Sequence, residues 1–211
     1  MKMKLHLFIT GILLSINAYA QYIEPTPTDQ PWSIIASVGR GNYQKIANGE
    51  GDTALARLAL GNEILLSGDF ALGLELGLQN GTHMRLPLSR ETLAVLEWLP
   101  VQTALGSMLD LLITAKSDPL AGSSFFAQLK GGIAYRKWRV KRNPINDISQ
   151  LVGEIQAGIG YPITALASLN LLYQGVFGGD PNLTYNLYNK TGHLSNIPAL
   201  HGLLIGFSVN L

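Results

Sequence analysis

Between Phe70 and Gln79 the chain alternates with a period of two. Phe70, Leu72, Leu74, Leu76 and Leu78 fall on one side, and Ala71, Gly73, Glu75, Gly77 and Gln79 on the other. A helix would scatter those five apolar residues around its circumference, whereas an extended strand gathers them on one face. Seven more segments read the same way. Their apolar sets are Trp32, Ile34, Ala36 and Val38; Leu58, Leu60 and Ile64; Val101, Leu105, Leu109, Leu111 and Ile113; Phe125, Leu129, Ile133 and Tyr135; Ile155, Ala157, Ile159 and Tyr161; Leu169, Leu171, Tyr173 and Phe177; and Leu203, Ile205, Phe207, Val209 and Leu211. Eight strands are therefore expected. Residues 92–99 fit either an outward extension of the fourth strand or a short helix after Ser89.

The opposite faces decide what surrounds the strands. They are rich in Gly, Ala, Ser, Asn and Gln and carry seven charges: Arg57, Glu63, Glu75, Asp110, Lys130, Arg136 and Glu154. A sheet face in water carries more Lys, Glu and Thr. Small residues with a few charges of both signs suit a crowded interior, with the leucine faces turned to lipid. A Lys or Arg on a lipid-facing strand centre costs about 2–4 kcal/mol, and none falls there. In lipid an open sheet edge has nothing to pair with, so the last strand must meet the first. The reading is an all-β, eight-stranded antiparallel up-and-down transmembrane β-barrel spanning residues 32–211. Trp32, Tyr135, Trp138, Tyr161, Tyr173 and Phe177 lie near strand ends, where interfacial aromatic girdles occur.

Connections alternate in length. Leu66–Gly68, Lys116–Ser124 and Pro162–Ala165 are the shorter set; Gly41–Asp52, Asn80–Arg90, Lys137–Gln150 and Gly178–Asn196 are longer. Short turns at the periplasmic end and long loops outside are the usual arrangement for bacterial barrels.

Residues 1–20 read as a removable signal peptide. Lys2 and Lys4 precede a mainly apolar run from Leu5 to Ile16, and Ala18-Tyr19-Ala20 offers a cleavage site. That run is too short for a membrane-spanning helix. Residues 21–31, rich in Pro and Thr, form an expected extended periplasmic tail. Loss of Lys2 and Lys4 leaves the 15 Lys and Arg two fewer, against 14 Asp and Glu, which argues against nucleic acid as a partner. With no cysteine, thiolate metal sites are excluded, and His83, His193 and His201 are too scattered for a metal centre. No cofactor is expected.

The alternating strands, the N-terminal leader and the final strand ending Phe207-Ser208-Val209-Asn210-Leu211 resemble the small outer-membrane barrels of the OmpA transmembrane and opacity-like surface protein type. The resemblance covers residues 32–211. It implies a bacterial outer-membrane location and engagement of the β-barrel assembly machinery through the last strand. Members of that group usually end in an aromatic residue, where this chain has Leu211.

Three constellations remain. The seven interior charges form either a network that fills the lumen or a gated ion path. At eight strands a barrel interior is only wide enough for side chains, which favours filling. Counting back from the 66–68 turn places Glu75 diagonally near Arg57. The run from Arg136 to Arg142 ends the fifth strand. Continued alternation turns Lys137, Arg139 and Lys141 outward at headgroup level, where they would meet lipopolysaccharide phosphates or simply be solvated. Finally, His193-Leu194-Ser195-Asn196 resembles the His-x-Ser-Asn motif of outer-membrane lipid A deacylases. That resemblance implies Ser195 as nucleophile, His193 as base and Asn196 as oxyanion donor. There the motif ends the seventh strand; here it follows a long loop, and no acid follows it. The expectation is a non-enzymatic barrel displaying its loops to partners the sequence does not identify, with a hydrolase or small-solute pore as the alternatives.

Overall fold

The computed structural model describes residues 32–46, 50–67 and 70–211. The leader, the Pro/Thr-rich tail and part of the 66–68 turn lie outside the described residues.

Eight strands form the barrel wall: β1 (Trp32–Tyr43), β2 (Asp52–Ser67), β3 (Phe70–Gln79), β6 (Met108–Ser117), β7 (Phe126–Val140), β8 (Ile148–Pro162), β9 (Ala167–Val176) and β12 (Leu200–Asn210). Each pairs antiparallel with its sequence neighbour in the wall. Closure comes from β1 on β12, in register from Ser33↔Asn210 to Tyr43↔Leu200. Two hairpins are added above the wall. β4 (Thr82–Arg85) pairs with β5 (Gln102–Leu105), which joins the upper end of β7, and β10 (Asn182–Asn186) pairs with β11 (Thr191–Ser195). No helix of the described residues is long and apolar enough to cross a membrane.

The apolar faces point outward. Ile34, Val38, Leu58, Leu60, Leu74, Leu76, Leu78, Leu109, Leu111, Ile113, Leu129, Ile133, Ile155, Ile159, Leu169, Leu171, Leu203 and Ile205 are all exposed, and they ring the barrel as a continuous band. In water such a band would be an untenable apolar surface; in a bilayer it is the solvated one. Outward polar residues mark its upper limit. Arg40 and Asn42 both donate to Asp52 at 2.7 Å, and Tyr173 bonds His201 through their Oη and Nδ1 atoms.

Three expectations need correction. The fourth strand is not continuous: it breaks at Gly106 and Ser107, and although β5 stays on β7 (Thr103↔Val140, Leu105↔Trp138), its register is one residue out of step with Leu109↔Tyr135, and its other edge leaves β3 for β4. That one-residue shift changes the phase, so Val101 and Leu105 are buried instead of facing lipid with Leu109, Leu111 and Ile113. Trp138 does not join an outer girdle. It shares the inward face with Arg136 and is 0% exposed, packed where no headgroup reaches. The 137–150 loop is also shorter than expected, because the β7–β8 ladder runs on to Trp138↔Ile148. Above the membrane, backbone groups are still best satisfied by one another. The ambiguous 92–99 stretch resolves as a short helix, α1 (Arg90–Val95), begun by Ser89, whose Oγ accepts from the Thr92 amide at 3.2 Å.

Candidate functional site

The barrel's middle holds a compact ion cluster. Arg57 on β2 donates through Nη1 to Glu75 Oε1 at 2.6 Å and through Nε to Asp110 Oδ2 at 3.0 Å, with Nη2 on Asp110 Oδ1. Lys130 on β7 takes the other oxygen of Glu75 at 2.7 Å. Both carboxylates are thus shared or bidentate, and all four side chains are buried. Gly77 makes room for this. A Cβ there would strike the Arg57 guanidinium and the Asp110 carboxylate. Bulges and turns set the register: β2 and β3 shift between Glu63 and Leu65, leaving Gly61 opposite Glu75 and Arg57 opposite Gln79. Gly77, not Glu75, is thus the diagonal neighbour of Arg57, and the long guanidinium side chain reaches Glu75 one step further on, across the space that Gly77 leaves open.

Not every interior charge joins. Glu63 lies toward the periplasmic end, partly exposed, with its carboxylate 3.5 Å from Lys116. Arg136 is buried higher up and donates to the backbone carbonyls of Pro198 (2.9 Å), Ile197 and Phe177 (3.3 Å each), tying the segment before β12 into the lumen. Glu154 accepts from Gln156 and Gln174 at 2.7 Å each. Below the cluster, Gln128 and Ser208 both bond Asn170, Ser208 bonds Ser168, and Phe126 fills the space over Gly160.

Above Arg136 the chemistry reverses. Tyr43, Leu55, Met84, Leu86, Leu96, Val101, Leu105, Met108, Trp138, Ile145, Val176, Leu194, Ile197 and Leu200 form one buried apolar cluster. Its members come from the barrel wall, the β4–α1–β5 excursion, the 141–147 connection and the β10–β11 hairpin, so the segments at the long-loop end are packed as a cap. Polar contacts pin its edges. Glu50 accepts from the Arg85 amide at 2.8 Å and from the Arg85 guanidinium, and that hydrogen-bonded guanidinium holds the Glu50 carboxyl below the usual carboxylate range. Asn80 extends the β2 ladder with its side chain, accepting from the Ala56 amide at 2.7 Å and donating to Ala54 O at 3.0 Å. Arg142 donates to Leu99 O and Leu96 O at 3.0 and 2.9 Å, bracing the end of α1. Sequence reasoning missed this cap. Its signal was present in apolar residues on the polar face, such as Tyr43, Leu55, Leu172 and Leu204, where both faces of a strand turn apolar.

Lys137, Arg139 and Lys141 are exposed, on the outward side of β7 and just beyond it, above Tyr135. Lys137 has one loose partner, Asp147 at 3.9 Å. The His193-Leu194-Ser195-Asn196 tetrad lies in β11 and just after it. His193 and Ser195 share a strand face, but Ser195 Oγ donates to Asn182 O at 3.3 Å, and among the described residues no hydrogen bond joins it to His193. Leu194 between them is buried in the cap, and Asn196 adopts a positive φ of 62°. Asp180, the nearest preceding acid, pairs with Lys45 at 2.6 Å.

No family model matches the chain, and no curated protein matches it. Solved structures do. The outer membrane protein OprG from Pseudomonas aeruginosa is similar over 86% of this chain and 97% of its own, with a TM-score of 0.55 and 11% identity. Neisserial surface protein A covers 85% and 96% at 11% identity (TM-score 0.48), and AlkL, determined in lipid bilayers, covers 90% and 96% at 9% identity (TM-score 0.49). At such identities the likeness concerns the fold. A closed eight-stranded antiparallel wall, an apolar outer band and a filled interior define a small bacterial outer-membrane β-barrel, and this chain is one.

Proposed function

We propose that this barrel is a non-conducting, non-enzymatic membrane anchor that presents a folded extracellular cap and holds lipopolysaccharide through its basic rim. The observation that carries the reading is the Arg57–Glu75–Asp110–Lys130 cluster, which fills the cross-section midway through the membrane while the cap fills it above. Two such layers in series support a lumen with no continuous water-filled path. Lys137, Arg139 and Lys141 project from the wall at the level where lipid phosphates lie, and charge-assisted contacts there are strongest with an anionic outer leaflet. Against a deacylase, Ser195 spends its hydroxyl on a backbone carbonyl and lacks the base contact that nucleophilic activation needs.

Planar-bilayer recordings of the purified protein test the first half: no stable single-channel steps are expected, and large steady openings would refute it. For the rim, changing Lys137, Arg139 and Lys141 together to Gln lowers the lipopolysaccharide that co-purifies while leaving the barrel folded; unchanged lipopolysaccharide would assign these residues to solvation. Lipid A acylation should be the same with wild type and Ser195→Ala. Release of a fatty acid by the wild type, lost in Ser195→Ala, would restore the hydrolase.

A further inference from the structure

The basic rim of β7 has a second wall. β5 lies between β4 and β7, and the two ladders set residues in rows: His83, Ala104 and Arg139 in one, Arg85, Gln102 and Lys141 in the next. Met84, Thr103 and Leu105, each one residue out of step with these, are buried, so the row residues share the outward face. The ends of both rows carry long or ring side chains that donate hydrogen bonds, whereas the middle of the first row carries only a methyl group. One step lower, Gly106 takes the place beside Lys137 and donates its amide to the Lys137 carbonyl at 2.9 Å. A Cβ on Gly106 would meet nothing nearer than that carbonyl oxygen at 3.6 Å. The outward face of β5 is thus a furrow, floored by Ala104 and Gly106. His83 and Arg139 stand on either side of Ala104, with backbones about 10 Å apart, two strand spacings.

Charge and height together select the guest. Glu50 engages Arg85, and Asp147 stands 3.9 Å from Lys137, but among the described residues His83, Arg139 and Lys141 have no side-chain partner. The furrow therefore keeps a net positive charge and free donors on both walls; His83 offers a ring N–H whether neutral or charged. Tyr135, opposite Leu109, is the last exposed apolar residue on the outward face of β7 and continues the lipid band up to the furrow. Arg139 lies four residues beyond it, about 10 Å higher for strands tilted at 35–45°. A phospholipid keeps its phosphate within roughly 5–8 Å of the hydrocarbon, nearer the level of Lys137. A phosphate carried on a sugar stands higher. We propose that the furrow binds one phosphorylated sugar headgroup of an outer-leaflet glycolipid, with a phosphate over Ala104 between His83 and Arg139. The site presupposes the lipopolysaccharide rim proposed above, and adds to it the β4 wall, the small-residue floor and the phosphosugar as the group recognised. Charge-assisted contacts from two sides fix the phosphate in place, where a single row of lysines and arginines would only attract it.

Titration of the full mature protein, in zwitterionic detergent micelles, with fluorescently labelled lipopolysaccharide tests this. Ala104→Leu alters no charge but fills the floor, and it is expected to weaken binding about tenfold or more, as loss of a charge-assisted contact does. Ala104→Ser leaves the floor open and keeps wild-type affinity. Dephosphorylated lipopolysaccharide binds the wild type weakly, and phosphatidylglycerol does not displace the intact ligand. Full affinity in Ala104→Leu, with the Lys137, Arg139 and Lys141 to Gln variant still impaired, overturns the furrow and leaves the rim standing. Full affinity in that triple variant removes both. Undiminished binding of the dephosphorylated ligand, or ready displacement by phosphatidylglycerol, overturns the phosphosugar. Should Ala104→Leu fail to fold, His83→Ala decides from the other wall: weakened binding supports the furrow, and unchanged affinity rejects it.

Discussion

At the level of Arg57 the interior is closed by side chains that carry charge, whereas at the level of Trp138 it is closed by side chains that carry none. The two regions are held by different physics. The charged layer lies inside the lipid-matched band, where the wall alternates strictly and small residues such as Gly77 leave space for long polar side chains. The apolar layer lies above it, where the strands outrun the membrane and the loops fold down onto their inner faces. A charge network tolerates no missing partner, because a buried ion left alone has lost its hydration for nothing. An apolar cap tolerates no missing volume.

The largest effect separates them. Arg57→Met strands Asp110 and leaves Glu75 with Lys130 alone, and should destabilise the barrel by about 3–5 kcal/mol, measured by reversible denaturant unfolding in lipid. Replacing Arg57, Glu75, Asp110 and Lys130 together by Met, Gln, Asn and Met should recover most of that loss, since no charge is then unpaired. Failure of the combined variant to recover would mean that the cluster's shape matters more than its charge balance. Trp138→Ala should cost about 3–5 kcal/mol as well, but no second change in the charged layer should restore it.

Smaller and more local is Leu194→Ala, expected to cost about 2–5 kcal/mol within the cap. Because β10 and β11 form a sheet of their own, outside the hydrogen-bonded wall, the expected signature is faster proteolysis of the 178–196 region with the barrel intact. Loss of the whole barrel instead would show that cap and wall unfold as one unit.

The smallest effect concerns Glu50. Its carboxyl is lowered by the Arg85 hydrogen bond, so the strap contributes above the unfolded-state value of about 4.3 and is lost as pH falls through the lower folded-state value. The Arg85 amide, which donates to Glu50, should exchange with deuterium faster at that acid limb, after correction for intrinsic exchange. Glu50→Gln should exchange faster already at neutral pH and show no such acid limb. Identical protection in wild type and Glu50→Gln would remove the strap from the account.

How much of this could be read in advance follows the same division. Within the lipid band, period two placed Arg57, Glu75, Asp110, Lys130, Arg136 and Glu154 on the inward face, because there each residue has only lipid or lumen to choose from. Glu63 shares that face in the sequence, but the bulge beside it and its place near the rim leave it partly in solvent. Above the band the rule loses its meaning. Val101, Leu105 and Trp138 are apolar and near strand ends, which reads equally as lipid-facing or girdle-forming; a loop-built core gave them a third place to go. The tetrad shows the same limit. His193 and Ser195 do share a strand face, yet their surroundings depend on β10, whose pairing no local pattern announces.

The central claim is that both layers exclude water, and single cysteines test it most directly, since the chain has none of its own. Ser37→Cys reports the charged layer, Val101→Cys the cap, and Tyr188→Cys, at the 98% exposed tip of the β10–β11 hairpin, the solvent. With a small, permanently charged thiol reagent on the folded protein in nanodiscs, Tyr188→Cys should react fully within minutes. Ser37→Cys and Val101→Cys should stay unmodified until the barrel is unfolded. Rapid modification of Ser37→Cys in the folded protein would show a water-filled lumen and contradict the account.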